Sequence, residues 1–293
     1  MNDATQLVDI EMAGPQQATS VQENPFSVSS PTSARVIAGY ELLEHIGEGG
    51  FGSVWRAKAP GGMLKAVKLV HGGFNERRAV EESKSLEKIR DARHPFLLSL
   101  ERIEIVDGQL IVVTELADES LKQRYERCVA TGSPGIPRDD LLRMLAEAAD
   151  ALDYMSKQHG LAHLDIKPEN ILLVGDHVKV ADFGLVKSVH TSEQSLVGGL
   201  TPLFAAPETF DGQPSDRSDQ YSLAVVYQYA LTGKLPFTGQ TTAQLAAQHI
   251  SARPDLSSLP DVDRLIVERA LEKDPFDRFD SCRAFVERLA AIK

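Results

Sequence analysis

Two hydrophobic periods divide this chain. From Tyr40 onward, apolar positions alternate or run in short blocks bounded by turn residues, which is the pattern of strands. Such blocks cover 40–46, 53–58 and 63–70, the last following the turn Pro60-Gly61-Gly62. A stretch near 75–90 has helical composition, and two more strand patterns follow at 97–106 and 109–116, joined by Asp107-Gly108. Beyond residue 116 the period lengthens. Leu142, Leu145, Ala149, Leu152 and Met155 recur at spacings of three and four within 139–159, with Asp139 at the start and Gly160 at the end. Further helical patterns cover 217–232, 241–250, 261–272 and 280–291. A small β-rich half thus precedes a larger helical half, an α+β arrangement without internal repeats. Residues 1–38 are rich in Gln, Ser, Thr, Ala and Pro and show neither period. Such a tail buries too little apolar surface to offset its ordering entropy, so disorder is expected there.

Composition narrows the function classes. The 293 residues include 31 Lys and Arg against 42 Asp and Glu, a net charge of −11. That balance argues against a nucleic-acid partner and against docking on anionic membranes. No apolar run approaches the roughly 20 residues of a membrane span, and the acidic amino terminus does not resemble a signal peptide. Cys128 and Cys282 are the only cysteines. They make neither a disulfide framework nor a metal-ligand pattern, so a reducing, cytoplasmic setting is expected.

Three segments carry chemistry. Gly47-Glu48-Gly49-Gly50-Phe51-Gly52 contains G-x-G-x-x-G. A dinucleotide-binding turn of that kind opens a helix. Here Val54-Trp55-Arg56 continues as a strand, so the glycines join two antiparallel strands and let the backbone close over phosphates. Lys68 stands 16 residues after Gly52 on the third strand. A cation there can hold α- and β-phosphates, and it needs an acid to fix it. Glu82 is the chosen partner, because Glu82-x-x-x-Leu86 places a carboxylate and an apolar side chain on one helix face; Glu81 is the alternative. The third segment is His163-Leu164-Asp165-Ile166-Lys167-Pro168-Glu169-Asn170, followed by Asp182-Phe183-Gly184. Asp165 can orient an attacking hydroxyl and accept its proton, and Lys167 can neutralise a transferring phosphoryl group. Asn170 and Asp182 offer the hard oxygens that magnesium prefers, or manganese in its place.

Together with Ala206-Pro207-Glu208, these segments resemble the signature set of the eukaryotic-type (Hanks-type) serine/threonine protein kinases, over about residues 40–290. The resemblance implies a two-lobed fold, with the small lobe at 39–116, the large lobe at 117–293 and ATP in the cleft between. It also implies a role for Thr201 in positioning substrate. Asp219 would be the buried aspartate of the central helix, and Arg278 would pair with Glu208. Val54, Ala66 and Leu172 would enclose adenine, Thr114 would guard the back of its pocket, and Glu115 to Ala117 would form the hinge. Leu86, Leu100, His163 and Phe183 would stack as a second apolar column. Asp165-Ile166-Lys167-Pro168-Glu169-Asn170 resembles the serine/threonine rather than the tyrosine pattern, so the implied partner is a protein presenting Ser or Thr. Further domains outside this chain are compatible with that reading.

The chain also departs from the pattern. The family commonly has Arg before the catalytic Asp, where Leu164 stands, and Val197 occupies the usual phospho-acceptor position. Control by activation-loop phosphorylation is therefore in question, although Ser188, Thr191, Ser192, Ser195 and Lys187 lie nearby. Two other functions compete. A nucleotide-binding pseudokinase scaffold would usually lack Lys68, Asp165 or Asp182. A small-molecule phosphotransferase would not need the peptide ledge that Glu208 and Arg278 imply.

Overall fold

The computed structural model describes residues 39–49, 52–70, 92–106, 109–182 and 201–292. The expected tail, the helical stretch at 75–90 with Glu81, Glu82 and Leu86, residues Gly50 and Phe51, and the segment from Phe183 to Leu200 lie outside them.

Five antiparallel strands form the first sheet: β1 (Glu41–Gly49), β2 (Gly52–Lys58), β3 (Leu64–Val70), β4 (Leu100–Val106) and β5 (Gln109–Glu115), in the order β1-β2-β3-β5-β4. The period of two decides what each face carries. Val67 and Leu69 point with Ala57, Ile111 and Val113 into one small core. Ala66 and Lys68 necessarily face the other way. The register sets Val54 beside Lys68 and Ala66 beside Thr114, so these four share the face opposite that core. At Gly52 a Cβ would meet the Leu69 carbonyl oxygen at 2.2 Å, and only glycine fits.

The larger half is built on α1 (Leu121–Ala130), α2 (Arg138–His159), α3 (Pro207–Phe210), α4 (Ser218–Thr232), α5 (Thr242–Ser251), α6 (Asp261–Ala270) and α7 (Cys282–Ala290). Helix α4 is buried on nearly all sides, from Ser218 to Gln228 without interruption, and is the axis of this core. Helix α2 ends where its sequence suggests, at Gly160 with φ 63°.

Two features were not expected. Helix α1 starts in a capping box, Ser120 with Gln123. A second sheet joins β6 (Glu119–Ser120) to β7 (Ile171–Val174) and β8 (His177–Val180), the last two following the 163–170 segment. The strand expected from 97 begins at Leu100 instead. Residues 96–98 turn to β8, where Val180 donates to the Phe96 carbonyl (2.8 Å) and Leu98 donates to that of Val180 (2.9 Å). This clip ties the first sheet to the strand that leads into Asp182. The α+β, two-part architecture is as expected, and no helix among the described residues is long and apolar enough to cross a membrane.

Candidate active site

The loop between α2 and β7 is held from below by one carboxylate. Asp219, on α4, accepts the backbone N–H of His163 (2.7 Å) and of Leu164 (2.8 Å). Burial pushes the Asp219 carboxyl up, against the pull of His163 and of these two bonds. The bonds secure Leu164 at φ 62°, a conformation costly for a non-glycine residue. The His163 ring lies 2.6 Å through Nε2 from the Ala181 carbonyl, and its Nδ1 accepts the Asp165 N–H at 3.3 Å. That pairing assigns the ring proton to Nε2.

Asp165 stands above this support, 5% exposed. Its Oδ1 accepts the Thr201 hydroxyl (2.7 Å), and its Oδ2 accepts Lys167 Nζ (2.7 Å) and Asn170 Nδ2 (3.1 Å). Lys167 Nζ also donates to Thr201 Oγ1 at 2.9 Å, closing a triangle of base, cation and hydroxyl. Each carboxylate oxygen has two acceptor sites, so Asp165 can still take a proton from an incoming hydroxyl. Asn170 commits its Nδ2 to Asp165, also reaching the main-chain oxygen at 2.8 Å. Its Oδ1 accepts no hydrogen bond among the described residues. That oxygen and the carboxylate of Asp182 form a hard, oxygen-only donor set that fits magnesium better than a soft metal.

From the first sheet, Lys68 Nζ donates to Asp182 Oδ2 at 2.8 Å, and Asp182 itself sits at φ 63°. Lys68 thus points at the Asp182 carboxylate from the face it shares with Val54 and Ala66. Thr114 donates to the Glu115 carbonyl (3.0 Å). The Glu115 carboxylate accepts the Ser99 N–H at 2.7 Å and lies 3.5 Å from Lys179, so this side chain braces the strand junction. Ala117 and Leu172 are half-buried where the two halves meet. Gly47 and Gly49 lie on β1, opposite Val54 and Gly52 respectively, and Glu48 is bonded to His45 at 2.9 Å.

Farther down, Arg278 forks onto Glu208, with both N–O distances 2.8 Å and the guanidinium 0% exposed. It also donates to the carbonyls of Glu272, Arg217 and Lys273 and lies over the Tyr221 ring at 4.9 Å. Burial works against the Glu208 charge, but the guanidinium and the Ser218 hydroxyl (2.7 Å) hold its carboxyl below the ordinary value. Ser218 was not singled out from sequence. A small polar residue at a helix start reads as a cap, and nothing local points it at Glu208.

The structure therefore brings together Asp165, Lys167, Asn170 and Thr201, joins Lys68 to Asp182, and separately joins Glu208 to Arg278. Comparison with known proteins gives a consistent picture. The family described as "Protein kinase domain" matches residues 40–289. The serine/threonine-protein kinase PknF of Mycobacterium tuberculosis is 30% identical over 276 residues, covering 86% of this chain and 56% of the relative. The serine/threonine-protein kinase pkn3 of Myxococcus xanthus is 31% identical over 288 residues, covering 86% and 50%. The chain thus spans about half the length of the curated relatives it matches. The crystal structure of the M. tuberculosis PknI kinase domain superposes with a TM-score of 0.70 at 26% identity, covering 89% of this chain and 98% of that one.

Proposed function

This chain belongs to the protein kinase domain family, and we propose that it transfers the γ-phosphate of ATP to serine and threonine hydroxyls of proteins. The observation that carries the reading is the Asp165–Lys167–Thr201 triangle, which sets a base, a cation and a hydroxyl beside one another. In the reaction the substrate oxygen bonds to the γ-phosphorus and the bond from that phosphorus to the β,γ-bridging oxygen breaks, leaving ADP. The hydroxyl proton passes to Asp165, and Lys167 offsets charge on the transferring group.

Family membership implies nucleotide and divalent-metal use; that the metal is magnesium is our reading. Asn170 and Asp182 would hold it, and it would neutralise phosphate charge. Lys68, fixed by Glu82, would hold the α- and β-phosphates under the loop from Gly47 to Gly52. The adenine would lie among Val54, Ala66 and Leu172, with Thr114 behind and Glu115 to Ala117 as hinge. The small lobe is taken as 39–116 and the large lobe as 117–293. Cys128 and Cys282 are both free thiols, which suits a reducing, cytoplasmic setting. The length of the relatives suits further domains beyond this chain.

Lys68→Met should weaken transfer strongly. Glu82→Gln should match that loss in single-turnover assays while Glu81→Gln should not, and the opposite result moves the partner to Glu81. Near-normal transfer by Lys68→Met would contradict the phosphate-holding role.

A further inference from the structure

Helices α2 and α7 border a groove that shares no residue with the candidate active site. Asp153 on α2 accepts the N–H of Cys282 (3.0 Å) and of Arg283 (3.4 Å), which fixes the start of α7 against α2. Beside that joint, Phe96, Ala146 and Val286 line a hollow of about 230 Å³ whose walls are mainly apolar. Val286 is buried, Phe96 half-buried and Ala146 exposed. The 96–98 clip to β8 holds Phe96 in place through the Val180 N–H. Small-molecule sites enclose roughly 300–1,000 Å³. This hollow is smaller and suits one large apolar side chain, not a whole cofactor.

The rim is acidic. Glu147, Asp150 and Glu287 stand there with one guanidinium, that of Arg283. Arg283 divides itself between Glu287 (2.9 Å) and Asp150 (3.2 Å). Glu147 accepts the Val178 N–H at 2.7 Å and lies 3.1 Å from His177 Nδ1, with no Lys or Arg ion pair among the described residues. His94 reaches Asp150 at 3.4 Å. Burial lowers the His94 imidazole and outweighs the pull of that carboxylate, so His94 brings no full counter-charge near pH 7. Three carboxylates sharing one guanidinium leave a negative potential around an apolar hollow.

We propose that this groove docks a basic segment of the protein substrate. One large apolar side chain fills the hollow, flanked by Arg or Lys side chains that meet Glu147, Asp150 and Glu287. The lining dictates this chemistry: the buried apolar group is the anchor, and the cations complement the rim. The hollow admits a side chain and not a folded element, so the occupant is an extended segment. The proposal rests on the kinase reading and deepens it, because the Asp165–Lys167–Thr201 triangle engages only a hydroxyl and leaves selection among proteins to other surfaces. Docking raises the local concentration of the acceptor, which lowers the protein KM and leaves ATP affinity and the transfer step unchanged.

The test uses the full chain and a fluorescein-labelled peptide, Arg-Arg-Leu-Arg-Arg, which has no hydroxyl side chain to accept phosphate. Fluorescence anisotropy should show saturable binding to wild type. Ala146→Arg plugs the groove and adds a cation, and at this exposed helical position Arg is well tolerated. It should weaken the peptide about tenfold. Gln240→Arg makes the same charge change at an exposed position outside α2 and α7, and should stay within about twofold of wild type. Exchanging the peptide leucine for glycine should cost about tenfold as well. Equal weakening by both Arg variants would reduce the effect to general attraction by an acidic chain and overturn the proposal. So would absent or unsaturable wild-type binding, indifference to the leucine, or a wild-type dimer that Ala146→Arg converts to monomer. Glu287→Arg, at an exposed rim position, repeats the comparison if Ala146→Arg melts below wild type. In turnover with myelin basic protein, the protein KM should rise with peptide Kd while kcat and the ATP KM hold, and an unchanged protein KM also overturns the proposal. Peptide binding as expected in a protein that transfers no phosphate would strike at the kinase reading alone.

Discussion

On the large-lobe side of the cleft, Asp165, Lys167, Asn170 and Thr201 hold one another through five hydrogen bonds, with Asp219 anchoring the loop beneath. On the small-lobe side, Lys68 stands on a strand whose other face packs into a core of only five buried residues. It crosses the cleft to a carboxylate that belongs to the opposite half. The difference teaches a division of labour. The groups to which we assign the proton and the acceptor hydroxyl are preorganised by burial. The group to which we assign nucleotide phosphate depends on how the two halves meet, through the 96–98 clip and the Lys68–Asp182 contact.

Removing the centre of the preorganised side should have the largest effect. Asp165→Asn should lower phosphate transfer by about 10²-fold or more, the usual scale for a positioned base, with folding and nucleotide binding nearly intact. Single-turnover transfer and nucleotide titration check this together. Near-normal turnover would mean that the buried network serves the fold and not the chemistry.

The next effect is on the anchor of that side. Arg278→Ala strands Glu208 in a buried site, and breaking such a pair typically costs about 3–5 kcal/mol. Thermal melting should show a clearly lower midpoint, with activity falling alongside. An unchanged midpoint would mean that the ion pair carries no net energy.

A similar but pH-selective effect should come from His249. Burial first and the Lys273 ammonium second push its folded value down to about 4, below the ordinary 6.5, so the unfolded chain takes up a proton that the folded one refuses. Stability from this group is complete above pH 6.5, falls as the pH drops toward 4, and levels off below. Over that window the loss is about 3 kcal/mol at 1.36 kcal/mol per unit. Denaturant titrations of wild type and His249→Gln at pH 7 and pH 4.5 check it. The wild type should lose more stability than the variant, and equal losses would contradict the assignment.

How much of this was legible in the sequence follows from how far apart the interacting residues lie. Asp165, Lys167 and Asn170 sit within one loop, so their types and spacing exposed them directly. The strands of the first sheet and helices α2 and α4 to α7 were legible from period, within a few residues at their ends. Helix α1 was missed although Ser120-x-x-Gln123 is a capping signature, and β7 and β8 were missed because four-residue strands carry little period. Strand β4 begins late because Phe96 and Leu98 find partners on β8, a long-range competition that local pattern does not register. Ser218 and His249 matter through residues 10 and 28 positions away. A lone serine or histidine on a helix gives no such signal.

The smallest expected effect concerns control. Leu164 is 3% exposed where the family commonly has a phosphate-gathering arginine, and an added phosphate orders a loop only where cations receive it. Phosphatase treatment, or joint replacement of Ser188, Thr191, Ser192 and Ser195 by Ala, should therefore change activity by less than about tenfold, a factor worth about 1.4 kcal/mol. A larger drop, reproduced by the quadruple variant, would show that the preorganised side still needs an outside signal. Thr201 is excluded from that set because its hydroxyl belongs to the triangle itself.

The most direct test of the central claim is to incubate the protein with γ-labelled ATP, magnesium and mixed candidate proteins, and to locate the labelled residues by mass spectrometry. The expected result is label on serine and threonine side chains with wild type and almost none with Asp165→Asn. Nucleotide bound without any label transferred, or label equally abundant with the variant, would contradict the account.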